Sequence, residues 1–174
     1  MFKQIFEIFK SNSLYEQALS ECHEMLAIDK TMLNASIQSL RKSDSADIDI
    51  DIYAMDKKIN AFEQDVRRKV MTHLAVGGKE DISSGLVLVS VVIDIERIGD
   101  YTKNIYDLAV NHPKKLHGGS IEPQLSKIEN HTLQLFEEVI DTFIHQNVEK
   151  ASELMGAYKE NISSQCDTIT NDII

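Results

Sequence analysis

The sequence predicts an all-α fold, and two kinds of observation indicate it. Hydrophobic residues make up 43% of the chain but aromatic residues only 6%, with seven Gly, two Pro and no Trp. This composition is typical of a helical protein and not of one built from strands and turns. Apolar residues also recur at intervals of three and four along most of the chain, while no segment shows the alternation of a half-buried strand.

The charge and the cysteines exclude several classes of protein. A formal net charge of −10 argues against nucleic-acid binding, which requires clustered Lys and Arg, and against adhesion to an anionic leaflet. Cys22 and Cys166 lie far apart without a CxxC spacing, so a disulfide framework and a zinc finger are not expected. The longest apolar run, Leu86–Ile93, is too short for the roughly 20 residues of a membrane span. These features predict a soluble, cytoplasmic protein without membrane insertion.

The chain begins with an apolar face and a first long helix. Residues 1–13 form a predicted N-terminal amphipathic arm, which would dock on another surface or form an oligomer contact. Ser11, Asn12 and Ser13 offer N-cap side chains, so the first helix is expected from Leu14 to Lys42. Its predicted core residues are Leu14, Ala18, Cys22 (or Leu19), Met25, Leu26, Met32, Leu33, Ile37 and Leu40.

A second helix is predicted after the acidic segment Ser43–Asp51, which supplies capping residues. Its apolar stripe consists of Ile52, Met55, Ile59, Phe62, Val66 and Val70. Beside it runs a polar stripe, spaced by four, three and four residues and therefore on one face: Asp56, Asn60, Glu63 and Arg67. Gly77 and Gly78 predict the end of the helix.

The third predicted helix starts at Asp81 or Ser83 and ends near Val110. Its first half is almost entirely apolar, which predicts the buried central helix of a bundle. Its second half carries Glu96 and Asp100, four residues apart and therefore stacked about 5 to 6 Å from each other, with Asn104 continuing the row.

Two further helices are predicted, from Ile121 to His145 and from Asn147 onward. The pattern of residues 147–162 resembles that of residues 44–59, as if one unit were present twice. We therefore predict a complete three-helix repeat over residues 14–112 and a partial, two-helix second repeat over residues 120–174, which looks truncated.

The acidic row on the third helix is the candidate site. Two like charges four residues apart repel each other, and hard cations prefer carboxylate oxygens, which helical bundles supply from facing helices. Asp56, Asn60 and Glu63 are the expected facing residues. The alternative is a solvated face, on which Asp94 would pair with Arg97 and Asp100 with Lys103.

Enzymatic chemistry is not expected. None of the six histidines completes the Glu-x-x-His spacing of di-iron bundles. No arrangement of Ser, Cys and His suggests a nucleophile. The sequence therefore predicts a protein that is not an enzyme, with a carboxylate-bridged metalloenzyme as the least favoured alternative.

The segment Asp94–Ile105, DIERIGDYTKNI, resembles the PhoU family of phosphate-uptake regulators, whose third helix carries an E/D-x-x-x-D motif in similar surroundings. Residues 56–68 are similar to the second helix of that family. The resemblance implies three-helix bundles in tandem. It also implies a metal site with iron, zinc or another divalent metal, for which Glu96 and Asp100 are the ligand candidates, followed by Asn104 and Asp56.

Two positions depart from the family pattern. Tyr101 stands where the family often has His, and the second repeat has Lys159 where the first has Asp56. Any metal site would therefore be single per chain.

The same resemblance implies a function and partners. It implies a regulator of phosphate uptake and phosphate signalling that contacts a membrane phosphate transporter or a sensor histidine kinase. A homo-oligomer is left open. The main alternative is a helical adaptor or oligomerisation module with solvated acids and no metal.

Overall fold

A computed structural model describes the backbone of residues 2–76, 82–112 and 114–173, and within these ranges the side chains from residue 14 to residue 171. Those residues contain helices and no strand, which confirms the all-α fold class. The helices are α1 (Phe2–Lys42), α2 (Ile52–Val76), α3 (Ile82–Asn111), α4 (Glu122–Ile144), α5 (Val148–Tyr158) and α6 (Ser164–Ile173). A 3-10 turn, Gly119–Ile121, precedes α4, and a π-helical turn, Lys159–Ser163, joins α5 to α6.

The chain divides into two compact units, Met1–Lys115 and Leu116–Ile174. In the first unit α1, α2 and α3 each pack against the other two, which makes a three-helix bundle. In the second unit α4 packs against α5, the π-helical turn and α6. The assignment of these helices to a complete repeat and a partial repeat stays a prediction.

The core of the first unit follows the predicted stripes. Its fully buried side chains include Met25, Met32, Ile52, Ile59, Val66, Val70 and Val92. Helix α1 departs from a purely apolar pattern, because Asp29, Ser36 and Ser39 are also buried. Three polar residues in one buried face lower the stability of a bundle unless they find partners or serve a site.

The predicted N-cap at residues 11–13 is wrong, because the α1 backbone is helical through these positions. Ser and Asn in a helix interior cost only a few tenths of a kcal/mol relative to good helix formers. The helical residues on both sides therefore carry the helix through. The side chains of residues 2–13 lie outside the described residues, so the amphipathic arm remains a prediction. Gly77, Gly78 and Asp81, expected at the boundary between α2 and α3, also lie outside them.

Helix α3 is not surrounded on all sides, contrary to the expectation for its first half. Leu88 and Val92 are buried, but Leu86 and Val87 are 56% and 59% exposed. In a three-helix bundle each helix has only two neighbours, so the third face of α3 meets solvent. Within the described ranges no helix has the length and apolar character needed to cross a membrane.

Candidate functional site

Several acidic side chains of the first unit lie near Gly99, where α3 approaches α1 and α2 closely. Gly99 on α3 allows this approach, since a Cβ atom there would lie 3.0 Å from Asp29 Oδ1 of α1 and 3.0 Å from Ile59 Cδ1 of α2. One turn of α3 on either side of Gly99 carries Glu96 and Lys103. The cluster therefore draws on all three helices.

Lys103 connects two of the predicted ligands. Its Nζ donates hydrogen bonds to Asp100 Oδ1 on the same helix (2.7 Å) and to Asp56 Oδ2 on α2 (3.0 Å). The hydrogen bond to Asp100, above all, raises the pKa of the Lys103 ammonium, although burial opposes the rise. Asp56 and Asp100 therefore share the positive charge of Lys103. The sequence predicted only the pair of Lys103 with Asp100.

Glu96 is half-buried beside the same acids. Burial is the main cause that raises the pKa of its carboxyl, followed by the charges of Asp100, Glu63 and Asp56, while Lys103 lowers it. Asp56 itself is only 8% exposed. Asp56 and Glu63 of α2 therefore lie close enough to Glu96 for their charges to act on its carboxyl.

Asp29 is the member of this cluster that sequence reasoning missed. Its side chain is fully buried, and neither carboxyl oxygen has a hydrogen-bond partner in the described part of the chain. Burial raises the pKa of Asp29 to about 8, and the charges of Glu96 and Asp56 add to the shift. A signal did exist, because the predicted α1 stripe jumps from Leu26 to Met32 and Asp29 fills the empty position.

The remaining predicted ligand, Asn104, does not lie among the buried acids. Asn104 lies on the exposed face of α3, one turn beyond Asp100. Asn60 on α2 is half-buried, and Glu63 accepts a hydrogen bond from Arg67 Nη1 at 2.8 Å. Along the predicted row on α3, Glu96 is therefore half-buried in the bundle and Asn104 is exposed to solvent.

The donor set suits a hard cation, but the carboxylates are not arranged around an empty centre. Asp29, Asp56, Glu96 and Asp100 offer the carboxylate oxygens that divalent metals such as Mn²⁺ and Mg²⁺ prefer. Among the described residues, however, no three His, Cys, Asp or Glu side chains converge as a formed metal site. The buried oxygens of Asp29, which lack a hydrogen-bond partner among the described residues, suit a cation, whereas Asp56 and Asp100 share the single positive charge of Lys103.

The ion pairs of the alternative interpretation are also present. Arg97 Nη1 lies 3.2 Å from Asp94 Oδ1, and both of these side chains are mostly exposed. The pair of Lys103 with Asp100 is the second. The two ion pairs that the solvated-face interpretation predicted are therefore both present.

We expect Lys103→Met to lower the free energy of unfolding by about 1 to 2 kcal/mol in chelator-treated protein. Removing one partner of a buried pair costs several kcal/mol, but Lys103 is 23% exposed, so solvent screening reduces the loss. Urea unfolding followed by circular dichroism measures it. Arg97→Met is the matched control, since it removes an exposed pair on the same helix and should cost less than about 0.5 kcal/mol. Equal losses would show that the contact with Asp56 contributes nothing.

Comparisons with known proteins point to one family. The family model described as the PhoU domain matches residues 22–109, which contain every carboxylate of the cluster. A relative from Clostridium acetobutylicum, named phosphate-specific transport system accessory protein PhoU homolog, is 22% identical over 174 residues, with 94% of this chain and 77% of the relative covered. No solved structure matches the chain.

Proposed function

This chain belongs to the PhoU family, and from that premise we propose that it is an accessory regulator of phosphate transport that acts through protein contacts. The observation that carries the proposal is that the family match, residues 22–109, covers most of the three-helix bundle and all the carboxylates of the cluster. A regulator of this kind needs a folded surface and a means of changing it, and no reacting group.

The proposed partner is a membrane phosphate transporter or a sensor histidine kinase, contacted from the cytoplasm. Support comes from the name of the Clostridium relative, an accessory protein of a phosphate-specific transport system. Deleting the gene from its own host should raise phosphate uptake when phosphate is plentiful, and the intact gene should restore it. Unchanged uptake in the deletion strain would argue against the regulatory role.

We further propose that the acidic cluster binds a divalent metal, iron or zinc among the candidates. Glu96, Asp100 and Asp56 would hold it, joined by the orphaned carboxyl of Asp29, and the bound cation would offset the mutual repulsion of these groups. Lys103 would have to release Asp56 and Asp100. Asn104 remains a candidate ligand from the exposed end of the row.

Metal analysis tests this site directly. Protein purified without chelator should contain stoichiometric metal, and the Glu96→Ala plus Asp100→Ala variant should lose it, because each carboxylate is a predicted ligand. Asp94→Ala is the control: it removes an exposed acid of the same helix and should leave the metal content unchanged. Metal that survives the double substitution would exclude this site.

The second candidate function is a helical adaptor or oligomerisation module that binds no metal. It is favoured by the ion pairs of Asp94 with Arg97 and of Asp100 with Lys103. If this second function is correct, the purified protein should contain no metal, and its stability should not change when metal is added. A carboxylate-bridged metalloenzyme would be supported only if the iron-loaded protein consumed oxygen. Whether the full chain forms a homo-oligomer is measured separately, by sedimentation.

A further inference from the structure

The second unit buries little of its apolar surface. Across residues 116–171 only Thr142 and Leu154 are buried in the parts that the structure describes. Large apolar side chains are exposed instead: Val148 by 81%, Met155 by 75% and Tyr158 by 50% on α5, with Val139 by 41% on α4. Helix α4 packs against one continuous helical segment made of α5, the π-helical turn and α6. Two packed helical segments cover only one side of each other, so apolar side chains on their other sides stay exposed.

Two polar contacts show which sides of α4 and α5 face each other. Glu138 Oε2 lies 3.3 Å from Lys150 Nζ, and the His131 ring contacts the backbone oxygen of Asn161 at 3.4 Å. Residues later in α4 thus meet residues earlier in α5 and its continuation, as in an antiparallel hairpin. Asn147 begins α5 with a side-chain cap, its Oδ1 accepting from the Lys150 backbone N–H at 3.0 Å.

The two apolar stripes lie on the same side of this hairpin. An α-helix turns by about 100° per residue. On each helix the apolar stripe begins roughly a quarter to a third of a turn around the helix axis from the residues that contact the other helix. When each helix is viewed from its own N-terminus, this rotation has the same sense on both. In an antiparallel pair, equal rotations in the same sense bring both stripes to one side. We call this surface the hairpin face; it consists of Phe136, Val139, Val148, Met155 and Tyr158.

The charge of the second unit indicates what can cover the hairpin face. Its 59 residues contain ten Asp and Glu against three Lys, a formal net charge of −7, so most of the −10 of the whole chain lies here. One of the three, Lys150, is already engaged by Glu138 and Glu153. A second copy of the same acidic hairpin would bring like charges together, which disfavours association.

We propose that the hairpin face binds an amphipathic helix of a partner protein, one whose apolar stripe is flanked by Lys and Arg. A helix laid along two antiparallel helices buries its stripe against theirs, and its basic flanks complement the acidic unit and speed association at low salt. This deepens the proposed regulatory function, on which it rests, by defining the chemistry of the partner segment.

A synthetic peptide tests the interaction with the full chain. The probe is a labelled helix of about 18 residues, five turns, with Leu along one face and Lys on both flanks, and its binding is followed by fluorescence anisotropy. Saturable, micromolar binding that weakens as salt is raised is expected. A peptide with Glu in place of every Lys, and a scrambled peptide without the Leu stripe, should not bind.

Variants locate the binding surface. Met155→Ser with Tyr158→Ser preserves the charge and changes only exposed side chains, and it should weaken binding about tenfold or more, because both residues lose buried apolar area in the complex. Leu86→Ser with Val87→Ser is the matched control, an exposed apolar pair in the first unit, and it should change the affinity less than twofold. Circular dichroism verifies that both variants fold.

Several results would overturn the inference. These are the absence of saturable binding, equal binding of the Glu peptide, unaltered affinity of the Met155 and Tyr158 variant, or a homodimer that this variant dissociates, which would assign the face to a second copy. The phosphate-uptake experiment separates this failure from that of the proposed function. If the gene deletion raises uptake and the Met155 and Tyr158 variant restores it fully, the regulatory role stands and the hairpin face is not its contact.

Discussion

Asp29→Asn is expected to raise the free energy of unfolding by about 3 to 4 kcal/mol at pH 7 in chelator-treated protein. Burial raises the pKa of Asp29 to about 8 from an ordinary value of 3.8. Between these two pH values the folded protein keeps a proton that the unfolded chain has already released, so raising the pH favours unfolding by about 1.4 kcal/mol per pH unit. Asn fills the same space without carrying a titrating group.

The pH dependence distinguishes this effect from a simple packing change. The stability contribution of the protonated carboxyl is fully present below about pH 4 and is lost as the pH rises toward 8. The advantage of Asp29→Asn should therefore be small at pH 4, grow up to about pH 8 and stay constant above it. Urea unfolding at a series of pH values measures this difference. Asp94→Asn, at an exposed acid of α3, is the control and should change the free energy of unfolding by less than about 0.5 kcal/mol. Parallel curves for Asp29→Asn and wild-type protein would refute the buried-proton account.

Gly99→Leu is expected to lower the free energy of unfolding by about 3 kcal/mol. A Cβ at this position would lie 3.0 Å from both Asp29 and Ile59, closer than ordinary van der Waals contact, and the rest of the Leu side chain would have to enter the same space. Overpacking of this kind costs 1 to 3 kcal/mol and occasionally more. The better helix propensity of Leu returns less than about 1 kcal/mol.

Gly156→Leu is the matched control for the change at Gly99. Gly156 lies within α5, and no described atom comes within 4 Å of the position that a Cβ would take. Here only helix propensity should act, with a gain of up to about 0.8 kcal/mol. Differential scanning calorimetry should show opposite shifts for the two variants. A loss at both positions would mean that close helix packing is not what distinguishes Gly99.

Two features reduce the negative charge of the cluster. Lys103 pairs with both Asp56 and Asp100, and burial raises the pKa of Asp29 to about 8, which favours its uncharged form below that pH. A divalent metal at the proposed site would be a third way, in competition with both. Metal content measured at pH 6 and at pH 8 should therefore be higher at pH 8 in wild-type protein, and Asp29→Asn should reduce that difference.

The spacing of residues along the chain was sufficient to predict the helices and the apolar face of each one. A period of 3.6 residues, read from the spacing of apolar residues, indicated α2 and α3 and the core residues Ile59 and Val66, and it placed Glu96 above Asp100. These properties depend on residues at most one or two turns apart. For the same reason the resemblance at residues 94–105, also a local pattern, was sufficient to indicate the family that the comparison confirmed.

Which helix faces contact each other became clear from the packing of the three helices. This packing placed Asp29 of α1 against Gly99, gave Lys103 a second partner on α2, and left Leu86 of the apolar run exposed. These contacts connect residues that lie on different helices and more than 40 positions apart in the sequence. The spacing along one helix cannot report such contacts, because they are set by the relative rotation and approach of the packed helices.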